Sequence, residues 1–290
     1  MTTPRITNIL FPVDFSASCV AMAPYVKRAA ALFGAKVSLI HVFDPASYNG
    51  FELYVRRVPE ISEEHEEIAR TRLDAFLQTE FPPSEHPRIL LAGDAATKIA
   101  EVARGGFDLI IMPTHAGTFR QMLFGSTTAK VLNDADCPVL TSNHAPKIAP
   151  RPLAHRELLC ALGVDKDSER VLRFAHQVAF DAHTSLRLIH AIQAADRDRS
   201  VQLDLEEQGQ SQERKHAAQR IADLQRTVGS QASVRIVAGP IKEILLEAVR
   251  GFDADVLIIG GRSPQSSVNG GLRDLTYAIV RDSPFPVLSI

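Results

Sequence analysis

The stretch ILFPVDFSAS, residues 9–18, passes within one short segment from an almost unbroken apolar run to an aspartate and two serines. An apolar run this brief, closed by Asp14 and Ser16, reads as a buried strand that ends where a helix begins. The chain repeats the statement as LLCALGVDKD at 158–167. Four further pairs follow in the same order: AKVSLIHVF (35–43) with TSLRLIHAI (184–192), LLAGDAATKIAEVA (90–103) with IVAGPIKEILLEAV (236–249), FDLIIMPTH (107–115) with ADVLIIGGR (254–262), and DADCPVLTS (134–142) with RDSPFPVLS (281–289). The offset of roughly 146 to 149 residues is far longer than any solenoid period, so it marks two duplicated domains.

Within each half, short runs rich in Val, Ile and Leu alternate with longer segments of helical period, the pattern of βαβ units on a parallel sheet. Strands are expected near 7–13, 36–43, 87–92, 108–112 and 138–142, and again near 157–162, 185–190, 233–238, 255–259 and 286–289. The fold class is therefore α/β: two tandem doubly wound domains, each a five-stranded parallel sheet flanked by helices in the Rossmann-like or flavodoxin-like manner. The segment HAPKIAPRPLAHR, 144–156, carries three prolines and no apolar period, and is expected to connect a first domain, 1–145, to a second, 153–290. Two polar stretches, Ser62 to Glu80 and Asp196 to Arg226, occupy equivalent places and read as long surface helices with solvated charged faces.

At 290 residues and 45% hydrophobic, the chain has enough apolar material for two cores. A net charge of -2 and a pI near 6.6 lack the positive excess that nucleic acid or an anionic membrane demands, so neither is expected as a partner. The start shows no signal-peptide pattern and no apolar run reaches bilayer length, so a cytoplasmic location is expected. Cys19, Cys137 and Cys160 are odd in number and widely spaced, so they suggest buried thiols and not a disulfide framework or a metal knuckle.

Ligands of open parallel sheets bind beyond the carboxyl ends of the strands, where strand order reverses. In the first half that directs attention to Pro12, Val13 and Asp14 after the first strand, Val42 after the second, and Met112, Pro113 and His115 after the fourth. The loop that follows ends in Gly125, Ser126 and Thr127 before an amphipathic run. A glycine lets backbone approach an anion, while free N–H groups of a first helical turn donate to it, so this segment is a candidate phosphate seat. The plainer reading is that Gly125 permits a tight turn and Ser126 or Thr127 caps the helix, as Asp14 would cap a helix starting near Ser18. His41 recurs as His190, and its repetition favours a structural role.

Val13-Asp14-Phe15-Ser16, Leu39-Ile40-His41-Val42, Asp108 to Met112, Thr114-His115, Gly125-Ser126 and Cys137-Pro138-Val139 together resemble the universal stress protein family, and the likeness runs through both halves. The resemblance implies a fold akin to the adenine nucleotide alpha hydrolases, dimerisation through an edge strand and, in a nucleotide-binding subgroup, ATP held by a Gly-x-x-Gly, nine residues, Gly-Ser/Thr loop. It sets Asp14 against the adenosine portion and gives the duplicated chain an intramolecular domain pair. Here Pro113 stands at the first family glycine and Ala116 at the second, with Gly117 as the alternative. In the second half Gly163 stands at Asp14, Arg262 at His115, and Arg273-Asp274 at Gly125-Ser126, so that nucleotide loop is degenerate. The expected function is a stress-response or regulatory protein that binds ATP or another adenine nucleotide in its first domain, with Mg²⁺ arriving only through the nucleotide. The alternative is a nucleotide-independent scaffold or chaperone-like protein. Lacking a paired acid and base, a Walker lysine or a nucleophile with its base, the chain is not expected to be an enzyme, and it offers no catalytic or metal residues.

Overall fold

The computed structural model describes residues 5–44, 58–114, 125–142, 157–193, 203–260 and 271–290, with the backbone alone described at 58–62, 203–210 and 271–274. The chain divides into two compact units, Arg5–Arg151 and Pro152–Ile290.

The first unit runs β1 (Asn8–Pro12), α1 (Ala17–Phe33), β2 (Lys36–Phe43), α2 (Val58–Ala75), β3 (Arg88–Ala92), α3 (Ala95–Arg104), β4 (Leu109–Pro113), α4 (Ser126–Asp134) and β5 (Val139–Ser142). Its strands lie in the order β3-β2-β1-β4-β5, all parallel. The second unit repeats this as β6 (Glu157–Ala161), α5 (Ser168–Asp181), β7 (Ser185–Ile192), α6 (Leu203–Val228), β8 (Ser233–Ala238), α7 (Ile241–Gly251), β9 (Val256–Ile259), α8 (Gly271–Asp282) and β10 (Val287–Ser289), ordered β8-β7-β6-β9-β10 and again parallel. Each expected strand is present; β2 and β8 have the bounds read from sequence, and the others differ by a residue or two at their ends.

The continuous apolar runs are explained by burial on both faces of each sheet. Ile9, Leu10 and Phe11 of β1 are fully buried, as are Leu158, Leu159 and Cys160 of β6 to within 2%. Chain order reverses between β1 and β4, and between β6 and β9, so each unit has a switch point at the carboxyl ends of those pairs. Among the described residues no helix is long and apolar enough to cross a membrane.

Two expectations need correction. The helix read as Ser62 to Glu80 stops at Ala75, because Leu77 takes a left-handed φ of 51° and the chain folds back, Phe81 N–H donating to the Leu77 carbonyl at 2.8 Å. That fold-back buries Phe81 to 1% against Phe11, ring centroids 6.1 Å apart. The helix read as Asp196 to Arg226 continues to Val228 and is described from Leu203. The exposure of Glu63, Glu64, Glu66 and Glu67 agrees with a solvated charged face on α2.

Candidate functional site

β1 ends at Pro12, and Val13 extends the pairing by one bond, its N–H donating to the Ile40 carbonyl at 2.8 Å. The chain must then turn up into α1. Phe15 makes the turn with a φ of 65°, a left-handed conformation that costs a side-chain-bearing residue about 1 kcal/mol or more. The turn sends the Phe15 ring over His41, centroids 4.3 Å apart, between Phe76 at 5.3 Å and the Arg72 guanidinium at 4.5 Å. On the other side it leaves Asp14 lining a cavity of about 250 Å³.

Ser16, and not Asp14, holds the N-cap position of α1, its Oγ accepting from the Cys19 N–H at 3.3 Å. Asp14 lies two residues before the cap, and its Oδ1 accepts from the Ser16 N–H and from the Cys19 thiol, both at 3.0 Å. A carboxylate gripped through one oxygen has a fixed plane. Burial first, and then the Asp14 charge, push the Cys19 thiol up to about 12, so it remains an S–H donor at neutral pH.

Ile40 and Val42 of β2, Met112 and Pro113 of β4, and Ala95 and Ile99 of α3 supply the apolar wall of the same cavity. His41, alternating with Ile40 and Val42, turns to the opposite face, and its Nδ1 lies 2.8 Å from the Val13 carbonyl. Burial lowers its basicity, against the Val13 carbonyl and the Asp14 charge, which raise it. This is a structural histidine buttressing the turn.

Opposite Asp14 stands the amino end of α4, with Gly125, Ser126, Thr127 and Thr128 on the cavity. Gly125 occupies the N-cap position at φ −61°, ψ 132°, extended backbone, and among the described residues no side chain caps this helix, so Ser126 and Thr127 do not serve as its cap. The N–H groups of its first turn are left to face the cavity, where the helix dipole favours an anion. Neighbouring α3 is capped differently: Asp94 Oδ1 accepts from the Thr97 N–H at 3.0 Å and is held down at about 2, first by that bond.

Of the residues singled out in sequence, Pro12, Val13, Asp14, Val42, Met112, Pro113, Gly125, Ser126 and Thr127 all line this cavity, while His115 and Gly117 lie outside the described residues. Cys19, Ile40, Ala95, Ile99 and Thr128 join them and were not expected. Ile40 was foreseeable, since residues two apart on a strand share a face. Ala95 and Ile99 were not, because nothing local says that the first turn of α3 packs over the end of β2. No group of three or more His, Cys, Asp or Glu side chains among the described residues is placed to hold a metal.

The second unit has a smaller cavity of about 180 Å³ at the equivalent strand ends, lined among others by Leu162, Gly163, Asp165, Ser168 and Gly260. Leu162 N–H donates to the Ile189 carbonyl at 2.9 Å as Val13 does to Ile40, so Gly163 does follow the strand where Asp14 does. The carboxylate is nevertheless not lost. Asp165 Oδ1 accepts from the Asp167 N–H at 3.0 Å and the Ser168 hydroxyl at 2.8 Å, the same grip two residues later. A Cβ on Gly163 would meet Asp165 Oδ2 at 3.1 Å, so the glycine vacates the space that Asp165 fills. A broader cleft of about 590 Å³ lies at the amino ends of β7 and β8, away from either switch point.

The family model of the universal stress proteins matches residues 5–142 and again 155–290. A curated relative, the universal stress protein in the QAH/OAS sulfhydrylase 3′ region of Thermus aquaticus, is 30% identical over 136 residues, 46% of this chain and 96% of its own length. Among solved structures, a universal stress protein from Archaeoglobus fulgidus aligns over 98% of this chain and 96% of its own with a TM-score of 0.64 at 20% identity. A functionally unknown protein from Pseudomonas aeruginosa PAO1 aligns over 99% and 93% with a TM-score of 0.64 at 18% identity. These two likenesses bear on the fold, and the two successive matches of the family model bear on descent: the chain belongs to the universal stress protein family, as two such domains in tandem.

Proposed function

We propose that the first unit binds an adenine nucleotide, ATP with Mg²⁺ carried by the nucleotide, and that the protein serves stress response or regulation through occupancy and not through turnover. The observation that carries this reading is the convergence on one cavity of the Asp14 carboxylate and the amino end of α4, which no described side chain caps, with an apolar wall between them. Asp14 accepts from ribose hydroxyls, the wall takes the base, and the α4 N–H groups and the Ser126 and Thr127 hydroxyls donate to phosphate. Pro113, with no N–H to give, narrows the phosphate seat to α4. Three cysteines outside any disulfide support a reducing, cytoplasmic setting. Among the described residues of the cavity the thiol beside Asp14, that of Cys19, is pushed up to about 12 by burial and stays protonated, which supports a binding and not an enzymatic role.

Calorimetric titration of the full chain with Mg-ATP tests the proposal. Saturation near one ligand per chain is expected, with affinity lowered about tenfold or more, some 1.4 kcal/mol, in Asp14→Ala and in Gly125→Val separately. No heat at millimolar ligand, with no nucleotide released on denaturing the purified protein, would reject it in favour of a nucleotide-independent scaffold.

A further inference from the structure

We infer that Cys19 is a positioning residue for the cavity of the first unit: its thiol, donating to Asp14 Oδ1 at 3.0 Å, sets the plane in which that carboxylate meets a ligand. The inference deepens the nucleotide reading, but the grip exists without ligand and is measurable without it.

Three observations support it. Cys19 is 1% exposed in the first turn of α1 and lines the cavity beside Pro12 and Asp14, so its sulfur has Asp14 as its near partner, with the Pro12 carbonyl at a looser 3.9 Å. Its thiol keeps its proton far above neutrality, so it donates at every physiological pH. The second unit makes the same two-donor grip with other residues, the Asp167 N–H and the Ser168 hydroxyl closing on Asp165 Oδ1. Cys19 is five residues from its carboxylate and Ser168 three from its own, so the backbone spacing is not what recurs. What recurs is one backbone N–H and one side-chain donor on the same carboxylate oxygen. A cysteine that merely filled space would have no reason to match a serine hydroxyl.

The discriminating variants are Cys19→Val, which keeps an apolar volume and removes the donor, and Cys19→Ser, which keeps a donor. In the ligand-free full chain, the Asp14 carboxyl is titrated by carbon NMR. A bond to the charged form holds a carboxyl pKa down, so Cys19→Val is expected to raise it and Cys19→Ser to leave it at or below the wild-type value. His41, whose ring also feels the Asp14 charge, is expected to titrate unchanged across the series. With Mg-ATP, Cys19→Val is expected to weaken binding about threefold to tenfold, the worth of one hydrogen bond, with Cys19→Ser within twofold. In an Asp14→Ala background the Cys19 substitutions are expected to change binding no further. An Asp14 carboxyl that titrates identically in Cys19→Val and wild type overturns the inference. Failure of wild type to bind Mg-ATP overturns the nucleotide reading alone and leaves the titration to decide the role of Cys19.

Discussion

The two units share a strand order and differ in how each leaves its first strand and enters its third. Val13 and Leu162 make the same backbone bond, yet the N-caps that follow are Ser16 and Asp167, so the second turn is two residues longer and moves its carboxylate from Gly163 to Asp165. Before the third strand, the first unit spends residues 76–87 between α2 and β3, whereas the second spends 229–232 between α6 and β8. The longer segment buries Phe81 and sets His86 Nδ1 at 3.2 Å from the Val37 carbonyl. Leu186, the counterpart of Val37 in the repeat, instead lines the open cleft of the second unit. Equal topology thus leaves the filling of the space around the sheet to loop length, and alignment position is a poor guide to which side chain arrives there.

The largest effect should come from emptying the filled space. Phe81→Ala deletes a fully buried ring against Phe11 and is expected to cost the first unit about 3–5 kcal/mol. Calorimetry should then show the first unit melting ahead of the second. A single unshifted transition would mean that residues 76–87 contribute little to the core, and the comparison would fail.

The next effect concerns the two carboxylates. Asp14→Ala should lower Mg-ATP affinity about tenfold or more, while Asp165→Ala in the same chain should change it by less than twofold, since the first cavity joins its carboxylate to the helix start at Gly125-Ser126, where the second half carries Arg273-Asp274 in sequence. Equal losses would show both units binding nucleotide and would erase the asymmetry.

These cases also show what the sequence made legible. The strands could be read because burial on both faces leaves unbroken apolar runs, and the repeat fixed their number. The cavity could be approached because its residues follow strand ends, as Asp14, Val42 and Met112 do. Asp165 was illegible in the repeat: pairing the halves residue by residue set Gly163 opposite Asp14, and only the geometry shows the carboxylate restored after a longer turn. Cys19 was illegible for another reason, since a small apolar residue on a helix face carries no sign of the carboxylate five residues back that its sulfur touches.

A smaller effect separates the ends of the fourth strands, where Pro113 stands in one unit and Gly260 in the other. A Cβ at Gly260 would lie 2.7 Å from Val171 Cγ2, too close to stand unless the Val171 side chain or α5 moves. Gly260→Ala should therefore cost the second unit about 1–3 kcal/mol through overpacking. An unchanged melting transition would show that α5 yields freely and that the narrowness of the second cavity is not enforced by packing.

The smallest effect is protonic and belongs to the first unit. Burial lowers the pKa of His41 in the folded chain below its ordinary value near 6.5. The unfolded chain therefore binds the proton more readily, so the stability contributed by neutral His41 is complete above about pH 6.5 and falls as the pH drops through and below that value. Melting of the first unit should shift downward between pH 7 and pH 5, and His41→Asn should flatten the shift while lowering stability at pH 7 through loss of the ring packed on Phe15. If the slope survives the substitution, the proton is taken elsewhere. The turn that aims Asp14 into the cavity would then owe its acid sensitivity to some group other than the histidine beneath it.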